Sequence, residues 1–107
     1  MNIYALSSGR GPSGIAILRI SGKNTLKVCT NLTKLKKLKS NEVNYCKFYD
    51  PRNKNIIDPE ALLLWFPAPN SYTGEDLAEF QVHGSNAVIN SLLKVLSEQD
   101  NCRIAEP

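Results

Sequence analysis

Hydrophobic and polar positions along this chain fall into two periods, and the switches between them divide it into short elements. Residues 3–6 are an apolar run that leads into the turn-rich SSGRGPSG. Ile15-Ala16-Ile17-Leu18-Arg19-Ile20 is β-branched and apolar on both faces, the pattern of a central strand. Ser21-Gly22 closes it, and Ser21 is placed to cap a helix over 23–32. Residues 43–49 alternate, Val43, Tyr45, Lys47 and Tyr49 against Asn44, Cys46 and Phe48, which predicts a strand. DPRNKN at 50–55 is turn material, so Ile56 onward completes a hairpin. A further buried strand covers 61–66 and stops at Pro67-Ala68-Pro69.

Residues 77–83 alternate again, with Ala78, Phe80 and Val82 on one face and Leu77, Glu79, Gln81 and His83 on the other. Ser85 caps a helix over 86–97 with an apolar stripe of Val88, Leu92, Val95 and Leu96. Residues 102–104 supply a last strand. Five or six strands with two or three helices cannot cover both faces of a sheet, so one face meets solvent, a ligand or another subunit. The strand ending at His83 lies where that face is expected.

Composition narrows the class. A chain of 107 residues, 42% hydrophobic and 21% charged, has the length and makeup of one ordinary globular domain. No apolar stretch approaches the ~18 residues of a membrane helix, and MNIYALSSGRGPSG lacks a secretory pattern. Cys29, Cys46 and Cys102 are odd in number and widely spaced, which fits buried reduced thiols in the cytoplasm rather than disulfides or a zinc site. The net charge of +3 is concentrated in KLKKLKS, with leucines at 32, 35 and 38. That run reads as a solvated helix end or loop with anchoring leucines; with no aromatic residue interleaved, a nucleic-acid contact is the weaker alternative. The ending Ile104-Ala105-Glu106-Pro107 has no polar tail, so the chain is expected to be a piece of something longer.

The candidate chemistry centres on PNSYTGEDLAEFQVHG. Gly9, Gly11 and Gly14 match neither G-x-G-x-x-G nor G-x-x-x-x-G-K-[ST], and a strand follows them, so the loop is a tight turn and the chain alone is not expected to bind GTP or ATP. Arg19 interrupts an apolar strand, which calls for an anionic or acceptor partner; the bland alternative is an edge position with its head group in water. Glu79 can accept two parallel N–H bonds from a flat heterocycle with adjacent donors, or it can pair with Arg19 on a neighbouring strand. From spacing alone the two readings are even. His83 reads first as a structural residue bonding a backbone carbonyl, with general-base catalysis the minor reading. Glu75 and Asp76 read as turn and capping residues.

Four ordered blocks, GIAILRISG, LWFPAPNSYTGED, EFQVHG and RIAEP, resemble the N-terminal domain of the MnmE (TrmE) family of bacterial tRNA modification GTPases. The resemblance implies an α+β fold: a mixed β-sheet of about five strands with two or three helices packed on one face, similar to the folate-binding domain of aminomethyltransferase. It implies that residues 1–107 are a homodimerising domain that binds a tetrahydrofolate derivative (5-formyl- or 5,10-methylene-tetrahydrofolate). Arg19 and Glu79 fall on the family's folate contacts. In the full-length family proteins a helical domain and a G domain follow, the latter using GTP, magnesium and potassium. Together with a flavoprotein partner, MnmG (GidA), these proteins modify the wobble uridine of tRNA. The family continues past the position of Pro107 with another basic folate contact, so this chain is expected to hold part of the site and not to be catalytic alone. The alternative is a purely structural dimerisation module in which Arg19 and Glu79 pair with each other; a free-standing acid–base enzyme using Glu79 and His83 is the weakest reading.

Overall fold

The computed structural model describes residues 1–7 and 14–105. The elements, in chain order, are β1 (Asn2–Leu6), β2 (Ile15–Ser21), α1 (Thr25–Thr33), β3 (Val43–Tyr49), β4 (Ile56–Phe66), β5 (Leu77–His83), α2 (Asn86–Ser97) and β6 (Cys102–Ile104). The strands form one sheet in the order β3-β4-β5-β2-β1-β6. Neighbours are antiparallel except for the parallel pair β1–β6, so the sheet is mixed and the fold α+β, with six strands and two helices among the described residues. The tight turn expected at GRGPSG lies largely outside the described residues.

Both helices pack on the same face. Val28, Cys29 and Leu32 of α1 and Ile89, Leu92, Val95 and Leu96 of α2 join Leu18, Ile20, Leu63 and Phe80 in one buried cluster. At its centre the rings of Phe48 and Phe80 lie 4.7 Å apart, tilted by 52°, an edge-biased contact that adds to the area each ring buries. Along α2 the expected Leu92, Val95 and Leu96 are buried, and the stripe differs from the sequence expectation only in its first turn, where Ile89 is buried and Val88 half-buried.

The helix caps show which local signals hold. Ser85 caps α2 as expected, its hydroxyl accepting from Val88 N at 3.2 Å. Ser21 does not cap α1. It stays in the sheet opposite Leu77, and α1 starts two residues later than expected, at Thr25, behind Asn24. The reason is Gly22, whose φ of +138° turns the chain away from the sheet, while Thr25 Oγ1 donates to Gly22 O at 2.8 Å. The lysine run follows as loop: Lys34 closes α1 in a left-handed conformation, and Leu38 anchors the segment on the core.

Gly22 also permits a close chain approach. A Cβ there would lie 2.2 Å from Asn2 Oδ1 and 2.7 Å from Met1 O. That same Asn2 is buried, with its side chain accepting from Asn24 N at 3.0 Å and its backbone N–H donating to Asn101 O at 2.6 Å. Gly22→Ala is therefore expected to lower stability by at least about 2 kcal/mol through backbone strain and displacement of Asn2. Urea unfolding measures this, and an unchanged midpoint would refute the packing argument.

Candidate functional site

The open face of the sheet carries the alternate residues of the central strands. β2 and β5 pair over seven positions, from Ile15↔His83 to Ser21↔Leu77, with Arg19 directly opposite Glu79 and Ile17 opposite Gln81. Arg19 is thus on a central strand, and the edge-strand alternative does not hold. Its Nε donates to Glu79 Oε1 at 2.9 Å, while Gln81 Nε2 donates to Glu79 Oε2 at 2.8 Å. The guanidinium side chain is 54% exposed and the carboxylate 16%. Both residues lie at the wall of a groove of about 520 Å³ that is also lined by Ile3, Ala5, Phe66, Tyr72 and Leu77.

Residues 67–76 form one rim of this groove and are tied down by hydrogen bonds. Asp76 Oδ1 accepts from Ala68 N at 2.9 Å, and Asp76 O accepts from Gly22 N at 3.0 Å. Ser21 Oγ is 2.9 Å from Thr73 Oγ1 and donates to Glu75 Oε2 at 3.3 Å, and Ser71 Oγ donates to Glu75 O. Glu75 and Asp76 therefore have turn and stapling roles, as their position in sequence implied. At the tip, Tyr72 is 98% exposed, its ring at the mouth of the groove.

His83 stands at the far end of β5, apart from this groove. Its partner is a carboxylate rather than the backbone carbonyl expected from sequence. Asp58 of β4 is fully buried; its Oδ1 lies 2.8 Å from His83 Nδ1, and its Oδ2 accepts from His83 N at 2.7 Å. A third donor, Glu60 N, reaches Oδ1 at 3.0 Å. Asp58 escaped the sequence reading because the hairpin strand from Ile56 and the buried strand over 61–66 are expected as two elements, whereas they are one strand, β4 (Ile56–Phe66). Its burial and its contact with His83 on the neighbouring strand are visible only in three dimensions. The Glu79–His83 acid–base reading loses its geometric basis, since Glu79 bonds Arg19 and Gln81 while His83 bonds Asp58.

Of the three free thiols, Cys29 is buried while Cys46 and Cys102 are half-buried, so full burial holds for one of them. Burial, reinforced by the nearby Asp58 carboxylate, pushes the Cys46 thiol up to about 12. Burial also raises Cys29 and Cys102. Among the described residues no group of three or more His, Cys, Asp or Glu is placed to hold a metal ion, and no helix is long and apolar enough to cross a membrane.

Two predictions come from this polar frame. Asp58→Ala removes the acceptor of two backbone N–H groups and the imidazole, and is expected to cost about 3 kcal/mol, whereas His83→Ala leaves both backbone bonds and costs about 1 kcal/mol. Chemical denaturation ranks them, and a reversed order would contradict the assignment of Asp58 as the anchor. Cys46 stays neutral in the folded state well above pH 8, so its reaction with an aromatic disulfide at that pH is expected to be slower by about 10³ than that of a free thiol. Because its folded value lies above the ordinary 9.0, its contribution to stability is complete below about pH 9 and declines as pH rises toward 12. Thiol modification at the same rate in folded and urea-unfolded protein would contradict this.

Comparison with known proteins places the chain. Residues 2–107 match the family described as GTP-binding protein TrmE N-terminus. A protein of Pelagibacter ubique named tRNA modification GTPase MnmE is 50% identical over all of this chain and 24% of its own length. Proteins of the same name from Zymomonas mobilis and Brucella canis are 45% and 46% identical over 97% of this chain, covering 24% and 23% of theirs. The chain thus spans about a quarter of the length of these curated relatives. With a mixed sheet in place and a family match over residues 2–107, the chain belongs to the TrmE N-terminus family.

Proposed function

We propose that the groove beside Arg19 and Glu79 binds the pterin end of a tetrahydrofolate derivative, in the 5-formyl or 5,10-methylene form. The observation that carries this reading is the state of Glu79. It is a half-buried carboxylate on the wall of a largely apolar groove, and each of its oxygens takes one hydrogen bond from a neighbouring side chain. A carboxylate has about four acceptor positions. The two bonds present orient it and leave room for the adjacent ring N–H and amino donors of a reduced pterin, while Phe66 and Leu77 offer apolar surface to the flat ring. Arg19 bonds Glu79 through Nε, so the terminal amino groups of its fork serve a ligand carbonyl or carboxylate without breaking that bond.

The chain, residues 1–107, acts in this reading as the folate-binding and homodimerising N-terminal domain of a longer cytoplasmic protein. That protein is a tRNA modification GTPase. It uses GTP with magnesium and potassium in a separate G domain and works with the flavoprotein MnmG on the wobble uridine. The names of the relatives support the tRNA and GTPase parts of the proposal.

A second reading, a structural dimerisation module without its own ligand, is favoured by one observation: Arg19 and Glu79 do pair with each other. The small size of that pairing supports the folate reading. An ion pair with one half-exposed partner contributes only about 0.2–1 kcal/mol, so stability alone gives little reason to keep two charges on central strands.

Calorimetric titration with 5-formyl-tetrahydrofolate tests the choice, on this chain and on the longer protein that contains it. Saturable binding is expected, weakened at least tenfold in Arg19→Ala and in Glu79→Gln, with both variants melting within a few degrees of the parent. A parent protein that binds no folate in either length, or variants that unfold while binding is unaffected, would favour the structural module.

A further inference from the structure

We propose that the lysine loop after α1 and the exposed ring of Tyr45 form a binding surface for single-stranded RNA. It is a different surface from the Arg19–Glu79 groove; only the choice of RNA over DNA rests on the tRNA role proposed above. In sequence the lysines of KLKKLKS have no aromatic residue among them, but the fold supplies one from another element. Asn44, buried at the start of β3, accepts from Lys39 N at 2.8 Å and donates to Lys39 O at 3.1 Å and to Leu63 O at 3.2 Å. Asn41 N donates to Trp65 O at 2.7 Å, and Leu38 packs on the core. The loop is thereby fixed against β3, and Lys37, Lys39 and Tyr45 line one shallow groove of about 490 Å³. On its other side Tyr45 borders a second shallow groove with Lys47.

The ring of Tyr45 is 81% exposed on an edge strand. Exposed Lys36, Lys37, Lys39 and Lys47 lie on the same loop and strand, with Glu42 and Glu60 the carboxylates on the segments around them. Lys34 is engaged elsewhere, its ammonium 4.0 Å above the Tyr49 ring. A basic track beside an exposed aromatic ring is what an unpaired strand requires: lysines for successive phosphates and a platform for a base. An acidic peptide would use the lysines and leave the ring without a role, and duplex nucleic acid keeps its bases stacked within the helix.

Fluorescence anisotropy with a labelled oligouridine of about 12 nucleotides tests the assignment. Binding is expected at low salt, with affinity falling on a log–log slope of about −2 to −3 for three or four phosphate contacts. Lys37→Glu combined with Lys39→Glu should weaken it at least tenfold, and Tyr45→Ala about tenfold, while Tyr45→Phe keeps the stack and the affinity. Folate titration of the same variants should be unchanged, which separates this surface from the groove: folate binding lost in the parent with RNA binding intact overturns only the folate reading. Absence of parent binding, charge variants that bind like the parent, or tighter binding of oligodeoxythymidine overturns the RNA assignment. So does a Tyr45→Ala effect confined to self-association in sedimentation velocity, which would make the surface a contact between copies.

Discussion

The antiparallel ladder between β2 and β5 is the constraint on which the rest of the molecule depends. Ala16, Leu18 and Ile20 on one strand and Ala78, Phe80 and Val82 on the other are all buried beneath the helices. A slip of one residue in either strand would turn its three apolar side chains to the open face and bring its own alternate residues, Ile17 and Arg19 or Glu79 and Gln81, into the core. Burying Phe80 or Leu18 alone is worth about 1.5–3 kcal/mol, so the register is pinned by the packed face, and the polar face inherits it. Arg19 opposite Glu79 is in this sense a by-product of core packing: the helices decide where the charges meet.

Polar groups on this sheet divide by what they contribute. The Arg19–Glu79 pair is partly in water, and its exposure limits what it adds to stability. Asp58 is the opposite case. A fully buried carboxylate is tolerated because two backbone N–H groups and an imidazole converge on it, joining β4 to the end of β5. The first arrangement leaves acceptor capacity on Glu79; the second gives Asp58 three partners inside the protein. That difference, more than residue type, separates a carboxylate with free acceptor positions at a groove from a structural one.

Much of this was legible in the chain. Alternation at 43–49 and 77–83 predicts both strands to the residue, because one face of each is packed and the other is not. The Ser85 cap was readable for the same local reason. Ser21 misled because an N-cap signal is local, while its placement is decided by pairing with Leu77 and by the turn that Gly22 permits. Asp58 was invisible because its partner His83 lies on another strand, and no local pattern marks a carboxylate in a hairpin strand as buried. Tyr45 beside Lys37 and Lys39 was invisible for a related reason: the contact joins a loop to a strand through Asn44, and no periodicity encodes it.

The strand order also bears on whether two ligands can be held at once. Arg19 on β2 lies three strands from β3 in the order β3-β4-β5-β2, and Glu79 on β5 lies two. At about 4.8 Å per strand spacing, roughly 10–14 Å separates the strands of Arg19 and Glu79 from the strand that carries Tyr45. That distance is at or beyond the ~8 Å screening length of physiological salt, so charge on one surface is largely hidden from the other. The rims are held by different hydrogen bonds, residues 67–76 to Ser21 and Gly22 and the lysine loop to Asn44 and Trp65, and they meet at the end of β4, where Trp65 adjoins Phe66 of the groove. A single sheet can therefore present a carboxylate-lined groove and a basic edge side by side, each fixed by its own hydrogen bonds.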